Sequence, residues 1–164
     1  MQKNVEIRPA AEADAGKILY FIRQLAAYEK MQDEVVATEE SLREWIFEKG
    51  KAEVLFAVVD GKEIGFALFF HNFSTFLGRA GIYLEDLFVL PEYRGMGCGK
   101  KLITALAAAA VERGCGRLEW SCLDWNRPSI DFYLSLGASP LDDWTVYRVT
   151  GERLQKLADS AGVE

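Results

Sequence analysis

Three glycines at alternate positions, Gly95, Gly97 and Gly99, stand between an extended apolar run, Ile82 to Leu90, and an apolar helical run, Leu102 to Val111. This bend constrains the fold more than any other stretch of the chain. Without Cβ atoms the backbone reaches φ/ψ values closed to other residues and lets a ligand come close. Because the bend opens a helix, free N–H groups point outward together, and such a terminus holds anions through hydrogen bonds and the helix dipole. Arg94, Lys100 and Lys101 add positive charge to the same stretch. The segment from Tyr93 to Lys100, with Met96 and Cys98 between the glycines, therefore reads as a cradle for a phosphate-bearing cofactor.

Two familiar glycine motifs fail here. A dinucleotide fingerprint needs G-x-G-x-x-G, and the third glycine falls one residue early. A P-loop needs glycine where Arg94 stands and Ser or Thr where Lys101 stands.

The 164 residues suffice for one domain with its own core. A net charge of −6 argues against a general nucleic-acid binder, which needs clustered basic residues. An acidic protein with a local basic loop suits an anionic cofactor and a cationic substrate. Cys98, Cys115 and Cys122 are odd in number and irregular in spacing, so neither a disulfide framework nor a metal site is expected. Cys98, at a helix N-terminus beside cations, is expected to have a lowered thiol pKa. The N-terminus is polar and no 18-residue apolar run occurs, which predicts a cytoplasmic protein without a membrane partner.

The rest of the chain reads as mixed α/β: antiparallel hairpins first, then a βαβ crossover through the cradle. Val5 to Ile7 is a first strand. Asp14 caps a helix to about Glu29 with Ile18, Ile22, Leu25 and Ala26 on one face. Thr38 caps a second helix with Leu42, Trp45 and Ile46. Glu53 to Val59 and Ile64 to Phe70 are strands joined by an Asp60-Gly61 turn. His71 to Gly81 reads as a loop or distorted strand, with His71 a lone loop residue. The cradle helix ends near Gly114, and its Ala107–Ala110 run permits close packing on a sheet. Arg117 to Leu123 is a strand, Asn126 to Leu136 a helix stopped by Gly137, and Thr145 to Val149 a last strand before a short helix with Leu154 and Leu157.

Arg94-x-x-Gly97-x-Gly99, set between a strand and a helix, resembles the acetyl-coenzyme A pyrophosphate loop of the GNAT family of N-acetyltransferases. Leu84 to Val89 before it and Trp125 to Tyr133 after it, with Ile7 to Ala10 and Tyr28-Glu29, look most like the diamine/polyamine (spermidine/spermine, thialysine) branch. The resemblance covers nearly the whole chain. It implies one GNAT domain over residues 1–164: a strongly twisted mixed sheet flanked by helices, with a splayed central strand pair whose gap takes the pantetheine arm of acetyl-CoA. It also implies a homodimer and no metal. Cofactor contacts then fall on Leu87, Phe88, Val89, Arg94 to Lys100, Asn126 and Tyr133, with a backbone N–H near Leu87 to Val89 polarising the thioester.

Acetyl transfer needs an amine that loses its proton and a thiolate that gains one. Glu85 and Asp86 are adjacent on a strand, so a regular strand sends only one into the cleft, whereas a bulge admits both. The resemblance favours Glu85 as base and Asp86 as a substrate ligand. Asn126 and Tyr133, seven residues apart, share a helix face, and the resemblance makes Tyr133 the acid for the thiolate. Tyr28, Glu29, Glu34, Asp142, Asp143 and Trp144 are candidates to join Glu85 and Asp86 in an acidic, aromatic-edged pocket for a cation. The segment His71 to Leu77 lacks the acid expected in a spermidine/spermine enzyme, which makes a short diamine or a lysine-like amino acid such as thialysine equally fitting. The function expected is acetylation of a primary amine on a small cationic substrate by direct attack. The alternatives are a protein lysine or N-terminal acetyltransferase, or a non-catalytic acyl-CoA sensor.

Overall fold

Asp60 and Gly61 both take positive φ, 50° and 76°. This is the mirror-image turn whose twist matches the strands it joins. The hairpin it makes, β2 (Glu53–Val59) and β3 (Lys62–Ser74), lies inside a five-stranded sheet with β1 (Val5–Pro9), β4 (Arg79–Val89) and β5 (Leu118–Trp120). The order is β1-β2-β3-β4-β5; the first four strands are antiparallel and β5 joins β4 in parallel. The connection to β5 runs through α3 (Cys98–Glu112), the crossover that a parallel pair requires.

The computed structural model describes residues 4–162. They form two compact units, one ending at Ser121 and one beginning at Cys122. The first holds the sheet, with helix α1 (Ala15–Tyr28) and α3 packed on it. Phe21 of α1 stacks on Phe66 of β3 at 5.4 Å and lies 6.0 Å from Phe56 of β2. All three are fully buried, as are Leu102 and Leu106 of α3. Each such side chain contributes about 1.5–3 kcal/mol by leaving water. The second unit holds α4 (Arg127–Ser135) and α5 (Gly151–Asp159).

Several sequence expectations need correction. His71 to Gly81 is not a loop: β3 and β4 run through it as a long hairpin turned at residues 75–78, and only that turn is irregular. Thr38 does cap α2 (Glu39–Leu42), accepting from the Ser41 N–H, but the helix widens into π turns over Arg43–Glu48. Asp14 does not cap α1, because its carboxylate is taken by Arg8 and the Ala11 N–H. Ala107 and Ala108 face water. Thr145 to Val149 forms no strand, and Val146 and Tyr147 are 79% and 91% exposed.

Candidate active site

The pairing of β3 with β4 skips one residue: Leu68 faces Asp86 and Phe69 faces Leu84, leaving Glu85 as a bulge. A bulge shifts the alternation of faces. Phe69 lies under the Arg113 guanidinium at the end of α3, and Leu84 shares its side. Asp86 turns instead toward α1, half-buried, while Glu85 is exposed. The two carboxylates thus stand together as a bulge allows, in unlike surroundings.

The same strand outruns its parallel neighbour. Pairs between β4 and β5 stop at Leu84 and Trp120, yet β4 continues to Val89. Along Glu85 to Val89, that edge has no strand partner among the described residues. This is the gap expected of a splayed pair, and it leaves the main chain at Leu87, Phe88 and Val89 without a ladder partner on that side among the described residues.

The cradle follows directly. Gly95 and Gly97 take φ of 79° and 81°, and a Cβ at either would meet nothing within 4 Å. Glycine is needed there for its conformation, and the space above it is open for a group to enter. Gly97 stands at the N-cap of α3, whose first turn, Cys98, Gly99 and Lys100, presents N–H groups without helical acceptors. Arg94 is oriented on three sides: its Nε donates to the Val89 carbonyl at 3.0 Å, and its guanidinium lies 5.1 Å from the Tyr28 ring and 5.3 Å from Phe88. These residues fit a pyrophosphate. Lys101 does not join them, since its ammonium donates to the Val5 carbonyl at 2.8 Å. Cys98 offers only its backbone: its residue is 2% exposed, and burial pushes the thiol pKa up rather than down. Met96 is at the exposed tip.

A cavity of about 160 Å³ opens between α1, the turn at Gln32–Glu34 and β4. Glu29, Glu34 and Asp86 give it three carboxylates, and Ile22, Leu25 and Met31 give it apolar wall. Burial first, then the Glu85 and Glu29 charges, pushes Asp86 up to about 7. Burial also raises Glu29. Tyr28, expected at the substrate, lies against Phe88 and Arg94, at the edge of the cradle. Of the walls, Ile22 and Leu25 were legible as an apolar helix face, whereas Met31 and Val35, in irregular chain, carried no sequence signal. A larger hollow of about 300 Å³, lined by Lys17, Tyr20, Lys62 and Leu90 among others, contains none of the expected site residues.

Within the second unit, Asn126 is buried and caps α4, its Oδ1 accepting from the Ser129 N–H at 3.4 Å. Tyr133 is half-buried with its ring 5.6 Å from Phe132. Asp142, Asp143 and Trp144 are exposed. His71, expected to stand alone in a loop, is on β3 with Nε2 3.3 Å from Arg113, which in turn holds Glu53 with two bonds of 2.7 and 2.9 Å.

Comparison with known proteins agrees with this geometry. The family model "Acetyltransferase (GNAT) family" matches residues 19–138. A thialysine N-epsilon-acetyltransferase of Bos taurus is 42% identical over 94% of this chain and 97% of its own. An L-ornithine N5-acetyltransferase of Arabidopsis thaliana is 46% identical over 57% of this chain and 41% of its own. Among solved structures, an integron cassette protein from the mobile metagenome of V. cholerae superposes with a TM-score of 0.79 at 32% identity, covering 98% of this chain and 99% of that one. The family match over residues 19–138 and the 42% identity across nearly the whole of both chains settle the group: the chain belongs to the GNAT family and is an acetyl-CoA-dependent N-acetyltransferase.

Proposed function

We propose that this enzyme acetylates a primary amine of a small cationic molecule, a short diamine or a lysine-like amino acid such as thialysine. The cavity carries the reading. Its carboxylates, Glu29, Glu34 and Asp86, suit an ammonium group, and its apolar wall suits a short methylene chain. A volume of about 160 Å³ suits a small acceptor better than a folded protein's surface. The thialysine and ornithine acetyltransferases among its relatives support the same class.

Acetyl-CoA supplies a thioester carbon open to attack by an amine. The chain's own residues do the rest. Arg94 and the N–H groups of Cys98, Gly99 and Lys100 hold the pyrophosphate, and main-chain N–H groups at Leu87 to Val89 orient and polarise the thioester. A carboxylate of the Glu85–Asp86 pair receives the ammonium proton. Asn126 and Tyr133 enter on family resemblance, Asn126 as a pantetheine ligand and Tyr133 as the acid for the departing thiolate. Trp144 and Tyr28 enter likewise as flanks of the acceptor. A homodimer belongs to the same reading: Trp144, Val146 and Tyr147 are more than three-quarters exposed, a wide apolar display that a second copy would cover. Light scattering that finds a monomer at micromolar concentration removes that part.

The deciding experiment is thiol release from acetyl-CoA against putrescine, spermidine, spermine, thialysine, ornithine, lysine and a lysine-containing peptide. Preference for a short diamine or a basic amino acid is expected. Turnover of the peptide alone would transfer the function to protein acetylation. Tight CoA binding without turnover of any acceptor would favour a sensor.

A further inference from the structure

Resting on that reading, we propose that Asp86, rather than its neighbour Glu85, takes the proton from the substrate ammonium, with Glu29 acting on Asp86 through its charge. The bulge puts these two neighbouring acids in unlike surroundings. Glu85 is the extra residue and is exposed, whereas Asp86 lines the cavity where the amine would enter. Three acids face Asp86 from the elements packed around it: Glu29 at the end of α1, Glu34 on the following turn and Glu85 on β4 itself. No lysine or arginine lines the cavity among the described residues. Burial and like charge therefore act in one direction, and a group held near 7 is a far better proton acceptor at neutral pH than an ordinary aspartate.

In the step, one N–H bond of the ammonium breaks and an O–H bond forms on Asp86. The freed lone pair forms the C–N bond to the thioester carbon while the C–S bond breaks. The second nitrogen proton leaves with the sulfur as the CoA thiol. Asp86 then returns its proton to water.

The test is the pH dependence of kcat/KM, which reports the free enzyme, from pH 5 to 9 with the preferred amine, for wild type, Asp86→Asn, Glu85→Gln and Glu29→Gln. Wild type should show a rising limb near pH 7. Asp86→Asn should lose about 10²–10⁴-fold in kcat/KM, the usual worth of a general base, and lose that limb. Glu85→Gln should keep the limb but move it to lower pH, since the Glu85 charge also raises Asp86. Glu29→Gln should move it to lower pH, because one repelling charge is gone, a shift that a purely structural role for Glu29 would not produce. Carboxyl ¹³C titration supplies a readout without turnover: one resonance titrating near 7 and absent from Asp86→Asn. Equal thermal stabilisation by CoA shows that each variant is folded, and if Asp86→Asn is not, the other two variants and the carboxyl titration decide. A limb lost in Glu85→Gln and kept in Asp86→Asn overturns the assignment, as does a limb unmoved in Glu29→Gln. Wild type inert on every amine would instead sink the substrate reading.

Discussion

The two ends of α1 hold acids in opposite conditions. At its N-terminus, Asp14 receives both guanidinium nitrogens of Arg8 at 2.9 and 3.1 Å, and Glu63 is shared by Arg8 at 2.7 Å and Lys17 at 2.9 Å. Hydrogen bonds from Arg8, first of all, bring both carboxyls down to about 2. At its C-terminus, Glu29 and Asp86 line a cavity with one further acid, Glu34, and no cation among the described residues, and burial raises both. The helix dipole adds to the contrast, favouring a negative charge at the first end and opposing it at the second. The same side-chain chemistry fastens the fold at one end and, on the proposed reading, serves reactivity at the other. Unpaired acids at a cavity cost stability, which is why they belong to function.

The contrast can be broken most forcefully at Arg8. Arg8→Met leaves Asp14, Glu63 and Lys17 with one cation for two acids and removes a guanidinium 4.9 Å over Phe56. With Arg8 about a third exposed, solvent screening trims the loss to roughly 2–3 kcal/mol at pH 7, short of a fully buried pair. The sign with pH follows from the depressed carboxyls: their contribution is present above about pH 4 and is lost as pH falls toward 2. Denaturant melts at pH 7 and pH 3 should therefore show a gap between Arg8→Met and wild type that closes in acid. A gap of the same size at both would make Arg8 a packing residue.

Asp86 should answer in the opposite sense. Its folded-state value is raised, so the stability it contributes is present below about pH 4 and is lost as pH rises to about 7. Asp86→Asn is expected to gain roughly 1 kcal/mol at pH 8, about 2–4 °C for a chain of this size. At pH 4 the two proteins should melt together. A variant less stable than wild type at pH 8 would mean that Asp86 has a cationic or hydrogen-bonding partner after all.

Which of these acids mattered was only partly legible in the sequence. The cradle was, because Gly97 needs a left-handed φ and opens a helix, a local requirement written in local residues. The hairpin at Asp60-Gly61 was legible for the same reason. The bulge at Glu85 was foreseen only as a possibility, since its cause lies in how β3 and β4 align over many residues. Asp14 read as a plain cap because nothing near it in sequence announces Glu63, which meets it through Arg8. Lys101 read as part of the cradle because charge was legible and direction was not: one turn of helix points its ammonium at β1. Thr145 to Val149 has strand composition and forms no strand, because a strand needs a neighbour and composition does not supply one.

The smallest expected effect sharpens the comparison most. Glu53 is paired as well as Asp14 is, with Arg113 at 2.7 and 2.9 Å and hydrogen bonds from it lowering the carboxyl. It differs in exposure: its side chain is 46% exposed against 11% for Asp14. If pairing alone fastened the fold, Glu53→Gln and Asp14→Asn would cost alike. Water around Glu53 screens the pair and offers the freed Arg113 a solvent partner, so Glu53→Gln should cost about 0.5 kcal/mol, within the range for surface pairs. Asp14→Asn should cost about 2 kcal/mol, because Asp14 is itself largely buried and holds the Ala11 N–H as well as both Arg8 nitrogens. Raising salt to 1 M, where the screening length falls to about 3 Å, should erase the first difference and leave most of the second. Equal losses in low salt would assign the contrast between the two ends of α1 to pairing, and unequal ones assign it to burial acting on pairing.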